Sequence, residues 1–315
     1  MRKTRTLRVA SAYAVGALAL AGLGLTAPAQ AKTLLEASTT CITPETHSDE
    51  ADAARGGDGK DHRDISASEQ RAIEARTNAI LAAKGKAPLG ASTALVSAPV
   101  PVYVHVMLSA TGAGDVTQAQ IDAQIAELNQ DFAGGESTAA ANTGFTFTLA
   151  GVDRYYNNQW HTDKQSTTYR SKTRLGGKNA LNIWLVDFNY LGIATFPWDY
   201  SKSPSIDGIR VQYSSLPGGT ATNYNDGKTA THEAGHWFGL YHTFQGGCTA
   251  TNDEVADTPA QGSSTSGCPE GRDSCTLPGL DPIHNYMDYS YDPCYNQFTP
   301  DQSARISQMW TAYRG

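Results

Sequence analysis

The sequence predicts an α/β (α+β) domain with a twisted, mixed but mainly parallel sheet, and three observations carry that prediction. Strand-like and helix-like stretches alternate through the middle of the 315-residue chain. A helical stretch then reads T-H-E-A-G-H-W-F-G-L-Y-H at residues 231–242. Beyond it, Cys248, Cys268, Cys275 and Cys294 lie in Gly- and Ser-rich surroundings, the mark of a loop-rich subdomain stapled by disulfides. With 40% hydrophobic residues the chain can bury a sizeable core.

Residues 1–31 read as a secretory signal peptide. Arg2, Lys3, Arg5 and Arg8 form a basic start, a run rich in Ala, Gly and Leu follows, and Ala29-Gln30-Ala31 has the small-x-small form of a cleavage site. The rival reading is an uncleaved membrane anchor, against which the Gly and Ala content and the cleavage pattern argue. The formal charge of −7 becomes −11 once those four cations leave. Such acidity gives no bias toward nucleic acid or anionic membranes, and it predicts no stable membrane association after signal cleavage.

Residues 32–90 read as a propeptide and connector. Positions 45–64 are crowded with charged residues and Gly, and positions 66–84 are good helix formers. Cys41, far from the other four, has two readings: a latency ligand for a metal further along the chain, or a thiol with no such role.

Residues 91–315 form the main domain. V-Y-V-H-V-M-L at 102–108 is the first core strand, and His105 inside it reads as a hydrogen-bonded core residue rather than a ligand. A helix over 117–133 follows, opened by the Thr117/Gln120 capping box with Ile121, Ile125 and Leu128 at helical spacing. Strands are expected at 145–156, 180–188, 191–196 and 208–213, with a short helix over 165–175. One of the last two strands is expected to offer an exposed edge where an extended peptide could pair.

The next helix, over 227–240, is expected to be capped by Asn225 or Asp226. His232 and His236 are four apart and share one helix face. Gly239 permits the left-handed turn that ends the helix and brings His242 back. Three imidazoles suit a zinc ion with one open position, where bound water would be acidified to a pKa of about 7. Glu233, beside the first ligand, is the candidate base, so the chemistry predicted is metal-assisted hydrolysis.

Regular structure is expected to stop over 243–281, and the four cysteines allow three pairings. Asp253, Glu254, Asp257 and Thr258 gather hard oxygen ligands that suit calcium; the alternative is a solvated acidic loop. A C-terminal helix starts at Thr299-Pro300-Asp301-Gln302, with an N-cap, Pro at the first position and Gln at the third.

The pattern H-E-x-x-H-x-x-G-x-x-H, with N-Y-M-D-Y at 285–289, resembles the metzincin metallopeptidases with their Met-turn. H-E-A-G-H-W-F-G-L-Y-H-T-F, D-T-P at 257–259 and the four cysteines are similar to the pappalysin family, over residues 101–315. The resemblance implies a metzincin-like catalytic domain acting on proteins or peptides, with zinc on His232, His236 and His242 and Glu233 as general base. It also implies Met287 as an apolar floor, Tyr289 as an oxyanion donor, Cys248 paired with Cys275, Cys268 paired with Cys294, and calcium in the loop between. Ser290-Tyr291-Asp292-Pro293 departs from the two acids expected after the Met-turn, so a preference for basic residues at the cleavage site does not carry over. The predicted protein is a secreted zinc endopeptidase made as a zymogen. Its rivals are a secreted zinc-binding protein without peptidase activity and a zinc hydrolase acting on something other than protein.

Overall fold

The fold was obtained as a computed structural model, which describes residues 65–92 and 94–315. The signal peptide, the charged stretch before Ile65 and Cys41 lie outside the described residues. Among the described residues no helix is long and apolar enough to cross a membrane.

Helix α1, Ala67–Ala83, is capped by Ser66, whose hydroxyl accepts from the Glu69 amide at 3.2 Å. After it come β1 (Ala98–Leu108), α2 (Gln118–Phe132), β2 (Phe145–Tyr156), α3 (Asn158–His161), α4 (Ser166–Thr173), β3 (Leu181–Val186), β4 (Gly192–Ala194), β5 (Ile209–Gln212), α5 (Lys228–Phe238) and α6 (Pro300–Met309). The five strands form one sheet in the order β2-β1-β3-β5-β4, parallel except for β4, which runs antiparallel to β5 along one edge. The sheet is therefore mixed, as the alternating pattern predicts.

Strand periodicity sorts the core into two layers. On one face Val102, Val104 and Val106 meet Ile121, Leu128 and Phe132 of α2 and Ala230, Ala234 and Phe238 of α5. On the other, Met107, Trp184 and Val186 pack with Tyr169 of α4. Because β3 is covered on both faces, all six of its residues are buried and, Asn182 apart, its sequence is apolar without alternation. His105 belongs to the second face, hydrogen-bonded to Asn182 at 2.9 Å and stacked on Trp184, so it is a core residue.

The capping boxes at Thr117/Gln120 and Thr299/Gln302 both form. The cap expected for α5 does not. Gly227, at φ 90°, is its N-cap without a side-chain bond, and Asn225 instead donates to the Gly219 carbonyl. The capping carboxylate comes from 64 residues downstream, where Asp292 accepts from the Asp226 and Lys228 amides at 3.0 and 3.4 Å. A buried carboxylate there answers both the unsatisfied amides and the positive end of the helix dipole.

Helix α1, expected in the propeptide, is packed onto this domain. Ile65 and Ile73 join Phe196, Trp198, Tyr241 and Met309 in one apolar cluster. Arg76 donates to the Trp198 carbonyl at 2.9 Å, and Thr77 meets the Tyr313 hydroxyl at 2.7 Å.

Candidate active site

All eleven residues of α5 are buried, so the helix is fixed by its surroundings along its whole length. At its C-terminal end Trp237 donates to Asp207 at 3.1 Å, and the Arg314 guanidinium spans Asp207 and the Trp237 carbonyl. Gly239 caps the helix at φ 101°, a conformation that favours glycine, and the chain turns back through Leu240 and Tyr241 to His242.

This brings three imidazoles to one point. The Nε2 atoms of His232, His236 and His242 lie 3.1, 3.1 and 3.2 Å from one another. His232 Nδ1 donates to the Tyr286 carbonyl at 2.6 Å and His236 Nδ1 to the Leu240 carbonyl at 2.9 Å. A carbonyl only accepts, so both rings carry their proton on Nδ1 and present an Nε2 lone pair to the centre. Nitrogens bound tetrahedrally to zinc at about 2.0–2.1 Å stand about 3.3 Å apart. The triad is within a few tenths of an ångström of that spacing, and its donor set fits the ion.

Met287 is fully buried and packs against the active-site helix at Gly235. A Cβ at Gly235 would overlap its sulfur, so glycine at that helical position is what lets Met287 come so close. Its carbonyl accepts from the Thr243 amide at 3.1 Å, tying the turn to the segment just past His242. The Tyr289 ring sits 4.8 Å from the His242 ring and 5.8 Å from that of His232. Phe244 stacks on His242 at 4.6 Å and meets the Tyr289 ring edge-on at 5.0 Å. The Glu233 carboxylate is buried against β4, where a Cβ on Gly192 would overlap it. The candidate base thus sits beside the edge strand.

Several supporting residues have no local signature. Asp131, at the end of α2, accepts from Thr231 at 2.5 Å and from the Tyr286 hydroxyl at 3.0 Å, so it grips both the helix and the Met-turn that brackets His232. Lys228, one turn before His232, places its ammonium among Glu127, Asp131 and Glu136. Burial pushes the Asp131 carboxyl up to about 7, although the Lys228 charge pulls the other way. For Lys228 burial pulls down, but the three carboxylates more than offset it and hold the ammonium above its ordinary value. Asp288 takes the Thr265 and Tyr289 amides at 3.0 and 2.8 Å and the Gln261 amide group at 3.0 Å, pinning the Met-turn to the cysteine-rich loop. In that loop Cys248 is bonded to Cys275 and Cys268 to Cys294.

The expected calcium residues are not all brought together. Asp253 Oδ1 and the Val255 carbonyl lie 2.6 and 2.9 Å from the Thr258 hydroxyl. Asp253 Oδ2 is buried without a hydrogen-bond partner, and burial pushes this carboxyl up to about 8. Asp257, by contrast, spends both oxygens on α6, accepting from the Thr299 hydroxyl at 2.6 Å and the Asp301 amide at 2.9 Å. It serves as a second cap for that helix. Glu254 likewise points elsewhere, accepting from Gln70 at 3.1 Å.

The sheet with its antiparallel edge, the triad and the methionine packed against its helix belong together in one class of enzyme. Fold and site define a zinc metalloendopeptidase of the metzincin type. A family model described as pregnancy-associated plasma protein-A, peptidase M43, matches residues 181–311. The chain is 46% identical over 233 residues to an extracellular metalloprotease of Neurospora crassa, covering 71% of this chain and 79% of that one. It is 47% identical over 225 residues to one from Podospora anserina, covering 68% and 74%. Mature mirolysin of Tannerella forsythia, solved with a cleaved peptide, superposes with a TM-score of 0.60 at 30% identity, covering 70% of this chain and 97% of that one. A promirolysin mutant gives 0.64 at 29%, covering 77% and 88%. The chain belongs to the peptidase M43 family, the pappalysins.

Proposed function

We propose that this protein is a secreted zinc endopeptidase, made as a zymogen, in which Glu233 is the general base. The observation that carries the reading is the convergence of the His232, His236 and His242 Nε2 atoms within 3.1–3.2 Å, with Glu233 on the same helix. Those three histidines would hold zinc, which when bound acidifies a water and polarises a carbonyl. Glu233 takes the proton of the attacking water and passes it to the leaving amine. The Tyr289 phenol donates to the oxyanion developing at the scissile carbonyl. Met287 keeps the floor apolar, and the free side of β4 pairs with the extended substrate. The cleaved peptide in the mirolysin structure supports a peptide as the substrate class.

Export rests on the signal-like residues 1–31 and on relatives named extracellular. Latency, with Cys41 as the candidate blocking thiolate, rests on the sequence alone. Calcium is proposed at Asp253 and Thr258, where a buried carboxylate, a hydroxyl and the Val255 carbonyl meet; Asp257 is left out of the set.

Glu233→Ala tests the mechanism. The variant should retain zinc by metal analysis while casein hydrolysis falls about 10²–10⁴-fold. Hydrolysis near the wild-type rate would remove Glu233 from the reaction. A wild type that binds zinc yet digests no protein, with or without a chelator, would favour the zinc-binding protein or a non-protein substrate.

A further inference from the structure

Helix α1 carries Glu74, whose carboxylate faces the interior of the domain. It forms a two-pronged ion pair with Arg305 of α6, at 2.6 and 3.0 Å. The Arg305 side chain is 4% exposed and that of Glu74 14%. Such a guanidinium is tolerated inside a protein only because its charge is met. Arg305 Nε in turn donates to the Gly239 carbonyl at 3.0 Å, and its guanidinium lies over the Tyr241 ring at 4.9 Å. The Tyr241 hydroxyl closes the circuit on Glu74 at 3.2 Å. Gly239 and Tyr241 are the two ends of the turn that carries the chain from His236 to His242. The turn delivering the third imidazole is therefore clamped by an arginine whose counter-charge comes from α1.

We propose that Glu74 is a positioning residue for this turn, and that α1 consequently remains in the mature enzyme, with the maturation cut falling before Ile65. The proposal rests on the zinc assignment made above. It moves the boundary drawn from sequence, which gave residues up to 90 to the propeptide and connector. The other contacts of α1 agree: Gln245, three residues past His242, donates to the Ile65 carbonyl at 2.8 Å, and Gln70 donates to the Asn252 carbonyl at 3.0 Å. Without α1, Arg305 would lose the carboxylate that meets it in a two-pronged pair, and Phe196, which meets the His236 ring edge-on at 5.4 Å, would lose its packing partners Ile65 and Ile73.

Two measurements decide it. Intact mass and N-terminal sequencing of the active secreted form should find Glu74 present; a fully active form that begins after Ala83 overturns the proposal. In the full chain, Glu74→Gln should lose zinc to a competing chelator about tenfold faster than wild type, at a temperature where circular dichroism shows both folded. Glu74→Asp, which keeps the charge, should fall between them. A residue needed only for stability would lower the melting temperature and leave zinc release unchanged, and that result also overturns the proposal. If Glu74→Gln does not fold, the double variant with Arg305→Met removes the unmet charge and should still release zinc faster, because the Gly239 carbonyl has lost its donor. Zinc binding and casein hydrolysis by the wild type report separately on the zinc assignment, and a wild type that binds no zinc overturns both.

Discussion

Lys228→Met removes a buried ammonium from among three carboxylates while nearly conserving volume. The Lys228 side chain is 4% exposed and that of Asp131 is fully buried, so the loss falls in the range of breaking a buried pair, about 3–5 kcal/mol. For a domain of this size that is roughly 6–20 °C in melting temperature. The pH dependence gives a sharper test. Asp131 faces Lys228, Glu127, Thr231 and the Tyr286 hydroxyl, and its folded value of about 7 lies above that of an unfolded aspartate. A group raised in this way contributes stability that is fully present below its unfolded value and is lost as pH rises through the folded one. In the variant the cation that held Asp131 down is gone, so its value rises further and the loss continues to higher pH. The deficit relative to wild type should therefore be larger at pH 8 than at pH 5, where Asp131 is already protonated in both proteins. Thermal unfolding of the two zinc-loaded proteins at both pH values checks this. A deficit below about 1 kcal/mol at pH 8, or one that does not shrink at pH 5, would refute the assignment of Asp131 and Lys228 as a buried pair.

Two further outcomes are expected. Calcium at a hundredfold excess over its Kd should add about 2.7 kcal/mol to wild-type stability, roughly 5–10 °C in melting temperature. Asp253→Asn should abolish that increment, whereas an equal increment in the variant would move calcium elsewhere. Cys41→Ala in the unprocessed protein should raise its peptidase activity toward that of the mature form, and a proform as inactive as before would mean the thiolate blocks nothing.

The order of elements and the triad were legible because their signals are local. Alternating Val102, Val104 and Val106, the Thr117/Gln120 box, and two histidines four apart followed by Gly239 each depend on residues within a turn or two. What stayed hidden depends on partners brought in from a distance. Asp292 caps a helix 64 residues upstream, Asp131 meets Tyr286 across 155 residues, and Glu74 meets Arg305 across 231. The mixed charges of α1 look like those of a solvated helix until Arg305 is placed against Glu74. Asp257 misled for the converse reason. Its neighbours in sequence suggested a cation site, but in the fold it sits at the start of α6, whose free amides compete for the same oxygens.

The two disulfides interleave: the loop closed by Cys248–Cys275 overlaps the loop closed by Cys268–Cys294. Every peptide bond between Cys248 and Cys294 therefore lies inside at least one covalent ring, and those between Cys268 and Cys275 lie inside both. Among the described residues no helix or strand lies between Phe238 and Asp292, and the exposed parts of that stretch are open to a peptidase working among copies of itself. A single nick between Cys248 and Cys294 leaves both ends tethered and the Met287 segment still joined to the rest of the domain. The staples thus make the enzyme tolerant of its own kind of damage, and the nick would show on a gel only after reduction.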